Sequence, residues 1–153
     1  ENEGLREIRG RIGIVLSKKG GILKNLLPVF RMFMGGHPGS GEQFIPWIHV
    51  ADVAGAFHFL LQHKDISGPV NISGPEPVRA KEFYETLARY LGRPSWLHPP
   101  AFLLKLGSKD MANELLLASQ RAVPERLLKA GYSFQYKTLN EAIAGALDSE
   151  GER

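Results

Sequence analysis

The chain of 153 residues contains no cysteine. That excludes a disulfide framework and a thiolate zinc site, and it fits a cytoplasmic protein. No apolar run approaches the roughly 18 residues that suggest a membrane-spanning helix, and the opening ENEGLREIRG is too polar for a signal peptide. No membrane partner is expected. A basic stripe is missing as well. The formal charge is +3, yet Lys and Arg are interleaved with acids, as in VRAKEFYE and VPERLLKAGY. Nucleic-acid binding calls for a clustered positive face, so that partner is not expected either.

Signatures of common chemistry are also absent. In GGHPGSGEQ, Gly36 and Gly41 have the spacing of a phosphate loop, but Glu42 and Gln43 stand where lysine and a hydroxyl are needed. No G-x-G-x-x-G joins a strand to a helix, so the dinucleotide fingerprint is missing. Gly20-Gly21 reads as an ordinary connection. No serine lies in a G-x-S-x-G elbow. His58 and His63 are five residues apart and miss the i, i+4 spacing of paired helical metal ligands. No metal is expected.

What is present reads as α/β. RIGIVLS at 11–17 is a β-branched strand. ILKNLLPVFRMFM at 22–34 has helical spacing, with Pro28 bending it or ending a first segment. A strand at 44–50 leads at Asp52 into a helix, with Asp52 as its N-cap. Val53, Phe57, Leu60 and Leu61 form the expected apolar face of that helix. VNIS at 70–73 is a short buried strand. Lys81–Leu91 is an amphipathic helix closed by Gly92. Three short helices are expected in PPAFLLKLG, KDMANELLLASQR and VPERLLKAG, then an extended SFQYK. Thr138 and Glu141 give the last helix a capping-box spacing.

One joint combines unusual residue types. Trp47 and His49 alternate on a strand, so indole and imidazole share one face. Taken alone, packing explains both more readily than binding does.

The segment FIPWIHVADVAGAFHFLL resembles the F-I-H-V-D-D-V-A region of the extended short-chain dehydrogenase/reductases, the NAD-dependent epimerase/dehydratase family. GPVNISGPEPVRAKEFYETLARYLGRP is similar to the strand and helix that follow there. RIGIVLSKKGGIL, GSGEQFIPWIHV and QRAVPERLLKAGYSFQYKTLNEAI resemble, more narrowly, a cell-division-inhibitor-like epimerase subgroup with a C-terminal helical domain of unknown function. The resemblance runs from about Arg11 to Leu147. It implies the C-terminal portion of a Rossmann-type fold, with last strands and substrate-side elements over 1–94 and a small helical domain over 95–153.

The same resemblance implies an NAD or NADP cofactor, a small nucleotide-sugar-like substrate, and Gln43, Trp47 and His49 on the substrate side. It further implies that the glycine-rich loop and the Tyr-x-x-x-Lys helix precede RIGIVLS, outside this chain. Four residues beyond Tyr84, Tyr90, Tyr132 and Tyr136 stand Ala88, Pro94, Tyr136 and Asn140, none of them lysine. The family's first Asp of the Asp-Asp pair is Ala51 here, and Glu42-Gln43 replaces a common arginine. The chain is therefore expected to be inactive alone, not to hold the cofactor by itself, and to form homo-oligomers through an exposed sheet edge. A non-catalytic binding or interaction module built on the same fold is the alternative.

Overall fold

A computed structural model describes residues 5–98 and 121–148. The two expected helices over 99–107 and 109–121 lie outside the described residues, Arg121 excepted. The elements run β1 (Ile8–Ile12), β2 (Ile14–Ser17), α1 (Gly21–Arg31), β3 (Phe44–Ile45), β4 (Trp47–His49), α2 (Val50–Gln62), β5 (Gly68–Ile72), β6 (Val78–Arg79), α3 (Ala80–Leu91), α4 (Glu125–Lys129) and α5 (Leu139–Asp148).

The strand expected at 11–17 begins earlier, at Ile8, and is divided at Gly13. β1 pairs parallel with β5, with Arg11 opposite Asn71. β2 pairs parallel with β4, with Ile14 opposite Trp47. Gly68 N donates to Glu7 O at 2.8 Å and Gly13 N to Ile72 O at 2.9 Å, while Ile14 N turns to Pro46 O at 2.7 Å. Successive N–H groups of a strand point to opposite edges, so β5 and β4 flank the 8–17 strand on its two sides. The short β3 pairs antiparallel with β6. Parallel strands joined through α2 are the α/β arrangement that the hydrophobic pattern implies.

Side-chain alternation divides the core in two. On one side Leu16 and Trp47 meet Leu23, Leu27 and Phe30 of α1, Phe83 and Leu87 of α3, and Ile143 of α5. On the other, Ile48, Val70 and Ile72 meet Ala56 and Leu60 of α2 and Leu127 of α4. Each fully buried Leu, Ile or Phe contributes roughly 1.5–3 kcal/mol relative to exposure. Pro28 neither kinks α1 out of the fold nor ends it; the helix continues to Arg31 with Pro28 on its exposed side.

Three local expectations need correction. α2 starts at Val50, with His49 rather than Asp52 as its N-cap. The buried residues of α2 are Asp52, Ala56 and Leu60, whereas Phe57 is 40% and Leu61 69% exposed. The helix therefore turns a narrower stripe inward than its apolar composition suggests. SFQYK forms no strand; the backbone N–H groups of Gln135 and Tyr136 are taken by the Asp52 carboxylate. The expected features at Gly92, which is left-handed at φ +61°, and at the Thr138–Glu141 capping box are present.

Candidate functional site

The β4–α2 joint is built around one imidazole and one carboxylate. His49 Nδ1 accepts the Ala51 N–H at 3.1 Å, capping the first turn of α2. In neutral His49 that acceptor role places the ring proton on Nε2. The ring, 5% exposed, lies 3.8 Å from the Tyr136 ring. Burial lowers the His49 pKa, opposed by the Asp52 charge and the Gly145 backbone.

Asp52, freed from capping, serves as a latch. Its Oδ1 accepts Gln135 N at 2.7 Å and its Oδ2 accepts Tyr136 N at 3.0 Å. The Tyr132 hydroxyl donates to Oδ1 at 3.2 Å. One carboxylate on α2, 2% exposed, thus holds residues 132–136 against the sheet. Two helix glycines make room for the tyrosines. A Cβ on Gly55 would sit 2.5 Å from the Tyr132 hydroxyl, and one on Gly145 would sit 2.2 Å from a Tyr136 ring carbon. Tyr132 and Tyr136 were not singled out as partners of Asp52 from sequence. The only local sign is a glycine inside each of two otherwise regular helices.

Trp47 and His49 do share a face of β4, and that face is turned into the core. Trp47 is 1% exposed among α1, α3 and α5. Trp47 Nε1 is buried and has no hydrogen-bond partner among the described residues. Gln43 stands apart, half-buried before β3, with Nε2 donating to Pro38 O at 3.2 Å.

One open cavity lies at the β1–β2 junction. It has a volume of about 480 Å³ and is lined by Arg11, Ile12, Gly13, Pro46, Asn71, Arg121 and Ala122. Gly13 and Pro46 lie in close backbone contact in its lining, where a Cβ on Gly13 would stand 2.2 Å from Pro46 O. Asn71 Nδ2 donates to Val123 O at 3.2 Å and Ser73 Oγ to Ala122 O at 3.1 Å, fixing the segment that carries Arg121. None of Gln43, Trp47 and His49 borders it.

Tyr84, Tyr90 and Tyr132 run against proton transfer. Burial raises the Tyr84 and Tyr132 pKa values, for Tyr132 together with the Asp52 charge. The Tyr90 hydroxyl donates to the Asp148 carboxylate, which raises its pKa too. A proton-transferring tyrosine needs the opposite shift, toward neutral pH. No group of three or more His, Asp or Glu among the described residues is placed to hold a metal ion, and no described helix is long and apolar enough to cross a membrane.

Comparison with known proteins gives one direction. Residues 99–146 match a family described as a domain of unknown function, DUF1731. The chain is 36% identical over 151 residues to epimerase family protein Mb2239 of Mycobacterium bovis, covering 99% of this chain and 50% of that protein. Human epimerase family protein SDR39U1, solved with NADPH, superposes with a TM-score of 0.90 at 30% identity, over 97% of this chain and 50% of the human one. The Thermus thermophilus UDP-glucose 4-epimerase, solved with NAD, shares the fold at a TM-score of 0.61 and 16% identity. The chain thus spans about half the length of the relatives it matches. It belongs to the epimerase family of extended short-chain dehydrogenase/reductases, corresponding to a C-terminal part of such a protein.

Proposed function

We propose that the chain supplies the substrate-side part of an NAD(P)-dependent, epimerase-like oxidoreductase acting on a nucleotide-sugar-like small molecule, and that it does not turn over alone. The observation that carries this reading is the tyrosine set. Every tyrosine whose pKa is shifted is pushed up, by burial or by a carboxylate partner, and none is followed at the fourth position by lysine. The tyrosinate and ammonium pair of the family's chemistry must then come from other residues than these.

In this reading residues 1–94 carry the last Rossmann strands and the substrate-side elements, and 95–153 a small helical domain. Gln43, Trp47 and His49 border the substrate side. Support for Trp47 comes from its unpartnered indole nitrogen, since a buried donor left unpaired costs about 1–3 kcal/mol and invites a polar partner. Trp47→Phe is the variant to use in a longer protein that contains this chain, because it removes Nε1 and keeps most of the packing. Ligand binding is expected to weaken while the melting temperature changes little.

Titration of the chain with NADP(H), followed by tryptophan fluorescence, tests the main reading. The exposed Trp96 and the buried Trp47 are its two reporters. No saturable response is expected. Clear micromolar binding by the chain alone overturns the claim that the cofactor needs residues from elsewhere.

A non-catalytic interaction module is the second reading, favoured by a specific surface. The backbone groups of Ile8, Gly10 and Ile12 face an edge where no strand pairs among the described residues. Beside it, Val50, Phe57 and Leu61 expose apolar area on α2. Stable dimers with no cofactor response favour this second reading.

A further inference from the structure

We propose that the cavity between the β1–β2 junction and residues 121–122 is a binding site for a phosphate-class oxyanion, inorganic phosphate or a diphosphate group. Its volume of about 480 Å³ accommodates such a group with room to spare. The lining contains two arginines and an asparagine and no carboxylate. Arg11 and Asn71 are register partners across β1 and β5, so their side chains rise from the same face of the sheet. Arg121 also lines the cavity, next to residues 122–123, which Asn71 and Ser73 clamp to β5.

The state of the nearby charges sharpens the assignment. The neighbouring acid Glu42 is engaged by Arg79 at 3.1 Å, and Arg79 lies over the Phe44 ring at 4.6 Å. Arg121 lies over the same ring at 5.7 Å. Stacking occupies the face of a guanidinium and leaves its N–H edge to meet an acceptor in the ring plane. Among the described residues, neither Arg11 nor Arg121 has an ion-pair or hydrogen-bond partner for that edge. Asn71 uses one amide hydrogen on Val123 O and retains the second. Two forks and a carboxamide match the several oxygens of a tetrahedral dianion, whereas a monocarboxylate fills one fork only. The inference depends on this cavity alone, and the cofactor reading above stands or falls separately.

Calorimetry and thermal shift on the 153-residue chain, with inorganic phosphate and pyrophosphate against sodium chloride at matched ionic strength, test it. Both anions are expected to raise the melting temperature beyond chloride, pyrophosphate more than phosphate. R11Q and R121Q are each expected to weaken binding about tenfold or more, the scale of a lost charged hydrogen bond. R31Q, at the exposed end of α1 and outside the cavity, is expected to bind as the parent does. Equal responses in R11Q, R121Q and R31Q, or no response beyond chloride, overturn the proposal. Circular dichroism establishes that each variant folds. Should a glutamine variant unfold, R11K and R121K decide, since they keep the charge and lose the fork: weakened binding supports the site, and parental affinity in both overturns it.

Discussion

At the scale of single residues, the joint between β4 and α2 shows why a short polar side chain can matter more than its position suggests. Asp52 was expected to cap a helix, where its loss costs about 1 kcal/mol. Instead it takes two backbone N–H groups and a tyrosine hydroxyl from residues 132–136. Asp52→Ala leaves those donors buried without an acceptor, and it is expected to cost about 3 kcal/mol or more in urea denaturation. A cost near 1 kcal/mol would return Asp52 to a capping role. His49 carries the pH dependence. Burial depresses its folded-state pKa below the usual 6.5, so the unfolded state takes up the proton first and stability falls as pH drops below about 6.5. Protonation also places a hydrogen on Nδ1, the atom that accepts the Ala51 N–H. Burial and the neighbouring His98 depress His37 in the same direction. His49→Asn keeps a capping oxygen and removes one titration, so its stability is expected to fall less between pH 7.5 and 5.5 than the parent's. Parallel pH profiles for the two proteins would remove His49 from this account. The latch role of Asp52 was not legible in the sequence, because its partners lie 80 or more residues further along the chain.

At the scale of elements, local signals performed well where the chemistry was local. The Thr138–Glu141 box is present: Glu141 N donates to Thr138 Oγ1 at 3.3 Å, and Glu141 Oε2 accepts Thr138 N at 3.0 Å. Thr138→Ala is expected to cost about 0.5–2 kcal/mol in chemical denaturation. Gly92 is left-handed after α3, as its place after an amphipathic run implies. Local pattern failed where tertiary context decided. Phe57 reads as core from spacing, yet its ring lies over Gly10 at the margin of the sheet, where a Cβ would meet it at 3.1 Å. It is 40% exposed, so Phe57→Ala should cost well below the roughly 3–5 kcal/mol of a buried phenylalanine. Trp47 reverses the case. The sequence favoured packing over binding without settling it, and burial at 1% exposure makes Trp47→Ala a core deletion expected to cost about 3–5 kcal/mol. The cavity arginines escaped notice because Arg11 and Arg121 are brought together only by strand register and by the clamp on residues 122–123.

At the scale of the whole molecule, the edge of β1 that no described strand pairs is the feature with the largest consequence. Its free groups belong to Ile8, Gly10 and Ile12, because the intervening residues face β5. A row of unpaired N–H and C=O groups beside exposed apolar side chains is a template for another strand. Ile12 is 48% exposed on that edge, and Val50 and Leu61 of α2 are exposed as well. We propose that a second copy pairs there when the chain is alone. Proline at position 12 isolates the effect: it deletes an N–H that no described strand accepts and leaves the β5 ladder intact. Ile12→Pro is therefore expected to keep the far-ultraviolet spectrum of the parent and to lose concentration-dependent self-association in sedimentation velocity. A parent that stays monomeric at high concentration, or a proline variant that associates equally, would assign the edge no role between copies. Because the proline acts on backbone pairing alone, the same pair of measurements separates strand addition from contact through the α2 surface, which Leu61→Lys would disrupt instead.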